Sequence, residues 1–231
     1  MALLGKGALA MWWNMAREMR AEFEHWHSHE HFPERMSIPG FRRGSRWLSA
    51  ADDDSVFVLY EVDSHDVLAS PAYAVHLNSP TPWSTRMMPH HRDMVRSQCR
   101  VVASHGGVLA RHALTLRFSC APHRDDDVHA HFGALAGRIS AQPGLVGAHL
   151  LRHEAPALAQ TTEQKIRGGA DRATDGVFVV CGYDEAALRG LLDTTVEPLR
   201  DVGVVDAPVS AVYSLSHSAT PSDAARKTGS E

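Results

Sequence analysis

The sequence predicts an α+β protein built from two tandem β-α-β-β-α-β units. Three observations carry this. First, Ile38 to Gly44 (IPGFRRG) has an echo in Gln142 to Gly147, 104 residues later. At the same offset His27 falls on His131 and Gly7–Ala10 on Arg111–Leu114, while Val56–Leu59 matches Val177–Val180 at an offset of 121. The difference of 17 residues is placed as an insertion in the polar, Gly-rich stretch Thr161 to Asp175. Second, apolar residues alternate between helical and extended spacing in the same order in both segments. Third, Val56–Tyr60 is apolar without alternation, which implies burial on both faces of a sheet. The units are set at residues 1–106 and 107–218, and the small polar residues 219–231 read as a disordered tail.

In the first unit Gly7 to Met15 reads as a strand. A helix runs from Arg17 to about Glu30, with Met19, Phe23 and Trp26 on one face. Phe32-Pro33 should interrupt it, because a residue before proline avoids the α region. The Pro39-Gly40 turn leads into a strand over Phe41 to Leu48, and Ser55 to Val62 is the next. Asp63-Ser64 caps a short helix near His65. A long Pro-rich connection containing an exposed His90-His91 follows, then a last strand near Gln98 to Ala103. In the second unit strands are expected near Ala110–Phe118, Gly147–Arg152, Gly176–Gly182 and Pro208–Ser216. Its helices are expected near Asp126–Ala141, with Phe132, Leu135, Ala136 and Ile139 on one face, and Asp184–Thr194, with acidic residues in its first turn. Such a unit is a ferredoxin-like split βαβ arrangement. Its helices cover one face of the sheet, and the other copy can cover the second.

Composition sets limits. The 231 residues are 44% hydrophobic and 22% charged, as in a globular protein. The net charge of −4 gives no nucleic-acid footprint. No apolar run is long enough to span a bilayer, and the first residues lack the basic-then-apolar order of a signal peptide. Three scattered cysteines, Cys99, Cys120 and Cys181, read as reduced thiols of a cytoplasmic protein. Neither a phosphate-binding loop nor a dinucleotide motif nor a nucleophile elbow is spelled out. An exposed edge strand would allow pairing into a homo-oligomer.

The 16 histidines are the unusual count. The stretch Glu22 to Phe41, EFEHWHSHEHFPERMSIPGF, resembles the first helix and following turn of EthD-like members of the dimeric α+β barrel superfamily: an aromatic residue, then acidic-His-x-Pro-Glu-Arg, then Pro-Gly-Phe. The second unit keeps Pro143-Gly144 but lacks the His-x-Pro-Glu-Arg element. The resemblance implies a fused pair forming, within one chain, the barrel that relatives form as dimers, with one site of the usual kind. It implies a cavity more than one activity, since members include cofactor-free isomerases, cyclases and monooxygenases, haem binders and accessory proteins.

His31 fills the histidine of that element. At a helix C-terminus its imidazolium would be favoured, which suits a general acid or base; the alternative is a capping role. His27 lies one turn earlier and shares its face, whereas His25 and His29 point elsewhere. His27 and His31 with Glu30 or Glu34 could hold zinc, iron or nickel, although a solvated His-rich face is the simpler reading. Glu34 can orient His31, and Arg35 can meet a substrate oxygen or close a local ion pair. Asn14 could offer its amide to a ligand, and Trp13, Trp26 and Tyr60 could enclose it, or each could be plain core. The sequence therefore predicts a cofactor-independent isomerase, lyase or oxygenase acting by acid–base catalysis on a small apolar molecule, aromatic or lactone-like, in a barrel cavity. No cofactor is required. The alternatives are a haem- or metal-dependent oxidative or dehydratase enzyme and a non-catalytic binding protein.

Overall fold

Eight antiparallel strands close into a barrel: β1 Gly7–Met15, β2 Phe41–Ser49, β3 Ser55–Val62, β4 His91–Gly106, β5 His112–Phe118, β6 Leu145–His153, β7 Gly176–Gly182 and β8 Val209–Ala219. The computed structural model describes residues 3–49, 51, 54–155, 159–169, 171–195 and 199–225. Neighbours around the barrel run β1-β3-β2-β8-β5-β7-β6-β4. Each half of the chain thus contributes four strands in the order 4-1-3-2, and β2–β8 and β4–β6 are the seams between halves. This is the fold of ferredoxin-like dimeric α+β barrels, made by one chain. Every strand has a partner on both sides, so the edge expected to pair with a second copy does not exist.

Alternation along each strand sorts residues into two compartments. Ala8, Ala10 and Trp12 on β1, Trp47 on β2, Phe57 and Leu59 on β3, and Val177, Val179 and Cys181 on β7 face the interior. Phe57 is stacked between Trp12 and Trp47, with ring centroids 5.1 Å apart on either side, so the interior is a packed aromatic plug rather than the expected ligand cavity. Leu9, Trp13 and Met15 on β1, and Val56, Val58 and Tyr60 on β3, face outward, under a helical layer. Val56–Tyr60 is apolar without alternation for this reason: both its faces are buried.

The helical layer of the first half comprises α1 (Arg20–Trp26), a π-helical turn (His27–His31) and α2 (Phe32–Met36), then α3 (Pro71–Asn78) and α4 (Pro82–Met87). That of the second half comprises α5 (Asp125–Ile139), α6 (Thr162–Ile166), α7 (Glu185–Thr195) and α8 (Leu199–Val202); α9 (Pro221–Ala225) follows β8.

The structure departs from the sequence reading in several places, among them the helix near His65, where the Ser64 side chain makes no capping bond. Phe32 keeps helical angles (φ −63°, ψ −49°) despite preceding Pro33, and the helix continues to Met36. The Pro-rich connection holds α3 and α4, because Pro71 and Pro82 occupy first helical turns, where a missing N–H costs nothing; Ser70 and Thr81 cap them. β4 starts at His91, seven residues early, and runs for 16. Residues 219–225, assigned to the tail, end β8 and form α9; the rest of that tail lies outside the described residues.

The repeat is real as architecture but misaligned in its strands. Gly40 and Gly144, 104 residues apart, both adopt positive φ (91° and 88°) just before β2 and β6. At the same offset, however, outward Leu9 falls on inward Ala113. At offset 121, inward Phe57 falls on outward Phe178. A one-residue slip reverses every side chain, so those strand matches were coincidental.

Replacing Trp47 with Ala should destabilise the barrel by about 3–5 kcal/mol, read as a lowered urea midpoint. Trp47→Phe should cost less, because the buried indole N–H makes no hydrogen bond and the stack on Phe57 survives.

Candidate functional site

The site begins with Pro33. Proline has no N–H for the His29 carbonyl, and its ring collides with that oxygen in a regular helix. The chain widens instead: the Phe32 N–H donates to the His27 carbonyl, five residues back. π turns of this kind recur at functional sites. Here the turn carries His27 and His31, both buried, on the face toward the sheet. Since the helix continues through α2, His31 is not at a helix C-terminus, and the charge–dipole reason for singling it out does not apply.

Between this helix and the outer face of the first sheet lies an enclosed cavity with room for about 30 Å³ of water centres. It is lined by Leu9, Met11, Trp13, Trp26, His27, His31, Arg35, Tyr60, Tyr73, Met88, His91, Met94, Arg96, Glu163 and Arg167. Six of the eight residues proposed from sequence for catalysis or binding meet here. Glu34 stands behind the wall, its Oε2 3.6 Å from His31 Nδ1 and its Oε1 3.0 Å from His76 Nδ1. Asn14 is elsewhere. It accepts from the Ser55 hydroxyl and donates to Asp93 at one end of the barrel. Trp13 faces the cavity while Trp12 faces the barrel interior, which settles the parity of that pair.

Arg35 is the charge at the centre. It is 2% exposed and donates from Nη2 to Glu163 Oε1, with its guanidinium 5.6 Å from the Tyr73 ring centroid. Burial alone would lower its pKa, but Glu163, Tyr73 and Glu34 outweigh it and hold the cation. Glu163 in turn lies 3.7 Å from Arg167, which is clamped by Asp171 at 2.8 Å. For Glu34 burial pushes upward, while the His31 contact and the Arg35 charge bring the carboxyl down to about 2. His27 is lowered well below its ordinary value, first by burial and then by the charges of His31 and Arg46. His91 is lowered by burial, Arg167 and His31. Burial raises Tyr60, so it stays a hydroxyl.

Around this cavity lie Trp13 Nε1, His27 Nδ1, His31 Nδ1, Arg35 Nη1, the Tyr60 hydroxyl and both His91 nitrogens, none with a hydrogen-bond partner among the described residues. Buried polar groups are otherwise almost always paired. Seven of the thirteen buried side-chain polar atoms without a partner among the described residues lie around this one cavity.

Sequence reading missed His91, Tyr73, Arg96, Glu163 and Arg167. His91 was assigned to an exposed loop because β4 was begun too late; it packs on Trp13 with ring centroids 4.9 Å apart. Glu163 and Arg167 lie in the stretch read as an insertion. Its signal was the spelling Thr161-x-x-Gln164, a capping box that starts α6. His25 and His29 contact one another outside the cavity, and Glu30 is engaged by Trp26 and Thr81. Among the described residues no three His, Cys, Asp or Glu side chains converge as metal ligands.

No family model matches the chain, and no curated protein matches it. Solved structures do. An anthrone oxidase-like protein aligns over 94% of this chain and 93% of its own, with a TM-score of 0.64 and 10% identity. A candidate monooxygenase from Fusobacterium nucleatum aligns over 94% and 96%, with 0.58 and 7%. A candidate chlorite dismutase aligns over 97% and 99%, with 0.51 and 10%. At these identities the likeness is one of fold. Haem, which the resemblance admits, does not fit the cavity: sites for molecules of drug size need roughly 300–1,000 Å³, and this one admits about two waters. No helix among the described residues is long and apolar enough to cross a membrane.

Because His27 and His91 stay neutral when folded but have an ordinary value of 6.5, unfolding below that pH takes up protons. Stability should therefore be greatest above pH 6.5. It should fall as pH drops, by about 1.4 kcal/mol per pH unit for each histidine. Urea midpoints compared at about pH 7.5 and 5.5 should show this, and His27→Gln or His91→Gln should flatten the dependence.

Proposed function

We propose that this protein is a cofactor-independent enzyme that removes a proton from a small enolisable or phenolic molecule and stabilises the resulting oxyanion. The carrying observation is the set of unpaired polar atoms around one closed cavity. They combine a permanent cation, a hydroxyl donor and neutral imidazoles. Arg35 Nη1 and the Tyr60 hydroxyl are free to receive a developing negative oxygen, and in an apolar enclosure such donors act with little screening. Glu34, ionised and 3.6 Å from His31 Nδ1, keeps a negative charge beside that ring, which acts as the base. His27, 5.3 Å from His31 between ring centroids, stays neutral in its buried position.

At rest the cavity holds only about two waters, so a small, mostly apolar substrate enters only as its walls move apart. Methionines 11, 88 and 94 form a wall that can re-pack around it. Access comes from a 190 Å³ outer pocket that shares His91, Met94 and Arg167 with the cavity and is rimmed by Gly168 and Gly169. Returning the proton at another carbon gives an isomerisation, and expelling a leaving group gives an elimination; these are the reactions we favour, since no serine, threonine, cysteine or lysine is among the described residues lining the cavity. The same anion could instead be oxygenated by O2, which oxygen uptake during turnover would reveal. The EthD-like likeness of Glu22–Phe41 supports this reading, as that stretch supplies His27, His31 and Arg35.

In a screen of small enolisable lactones and phenols, His31→Gln should lower kcat by about 10²–10⁴ with ligand affinity little changed. Tyr60→Phe should lower kcat by about 10²-fold or more. Full activity in both variants would overturn the assignment. Oxygen consumption during turnover would replace isomerisation by oxygenation.

A further inference from the structure

The barrel carries inward-facing arginines near its two ends, and they are treated differently. At one end Arg43 is paired with Glu61 by two hydrogen bonds of 2.6 and 2.8 Å, and Glu61 also accepts from the Leu4 N–H. At the other end Arg117, on β5 two residues beyond inward Thr115, has no carboxylate and no hydrogen-bond acceptor among the described residues. Its guanidinium lies 5.0 Å from the Trp12 ring centroid, and Trp12 is fixed by its own bond from Nε1 to the Thr115 hydroxyl (3.2 Å). Arg172 joins it from the 161–175 stretch: its backbone bridges β4 at Met94 and Arg96, and its guanidinium donates to the Asp93 carbonyl (3.2 Å). Two cavities of about 270 and 240 Å³ both touch Arg117 and Arg172. Their walls are partly apolar: Val95, Phe118 and Val209 on one side, Trp12 and Val56 on the other. Asp93 and Asp206 stand on the rim, but neither lies within ion-pair distance of Arg117.

We propose that this end of the barrel is a second binding site, for a small carboxylate carried on an aromatic or other flat apolar body. A guanidinium stacked on an indole keeps its N–H edge free, and that edge matches a planar carboxylate through two parallel bonds. The indole face and the valine walls receive the apolar body, which a bare inorganic anion would leave unfilled. Arg172 closes the rim with a second positive charge. The site borders the histidine-lined cavity through Trp13, and its Arg172 also lines that cavity's outer pocket, but none of the cavity's own charged residues lines it.

The test is calorimetric titration and saturation-transfer NMR with benzoate as the probe, at constant ionic strength, against benzyl alcohol and inorganic phosphate. Saturable benzoate binding is expected, with benzyl alcohol roughly tenfold weaker or worse. Arg117→Met should weaken benzoate by roughly tenfold or more, and Arg117→Lys, which keeps the charge but not the fork, by less. His31→Gln should bind benzoate as the parent does. The proposal fails if benzoate shows no saturable binding up to about 10 mM, if both Arg117 variants bind it undiminished, or if phosphate binds as well as benzoate.

Discussion

Everything at the histidine-lined cavity depends on keeping one cation out of water. Arg35 is fully enclosed, and a buried guanidinium without a counter-charge would cost several kcal/mol. Its counter-charge, Glu163, is 128 residues away and belongs to the other half of the chain. The ion pair therefore exists only when β4 has met β6 and β2 has met β8, bringing α6 over the first sheet. Site assembly and barrel closure are one event. Glu34 stays ionised with help from the same charge, whereas His27 and His91 are kept neutral first by their own burial.

The division of labour between compartments is equally physical. Adjacent residues on one strand serve different ends, Trp12 plugging the barrel and Trp13 lining the cavity. In the second half the corresponding layer is mostly apolar, with His129 of α5 a buried polar exception beside Phe118. There Phe118 and Phe132 stack at 4.6 Å, Phe178 joins them, and leucines and valines fill the space between sheet and helices. One half has kept a cavity; its counterpart has become solid core.

Much of this was legible in the sequence, and the failures are instructive. Periodicity located seven of the eight strands closely and both long amphipathic helices, because each element buries one face. The family-like element Glu22–Phe41 supplied His27, His31 and Arg35. The break expected at Phe32-Pro33 was instead absorbed by a π turn, an option that local preference does not reveal. His91 was lost because a strand lacking apolar alternation at its start looks like loop. Glu163 was lost because nothing local tells a buried carboxylate from a solvated one: its partner is fixed by strand order. The strand matches of the repeat failed through parity, which identity scoring ignores.

The two seams between halves have a consequence for how the protein behaves on dilution. When such a barrel is assembled from separate chains, its integrity depends on protomer concentration, and any site completed across the seam is lost as the pair dissociates. Here the covalent link makes closure an intramolecular step, with an effective concentration set by the chain rather than by the amount of protein present. The Arg35–Glu163 pair should thus persist at scarcity that would empty a two-chain equivalent. Because the two halves need not be identical, a residue can change on one side of the seam without being copied to the other.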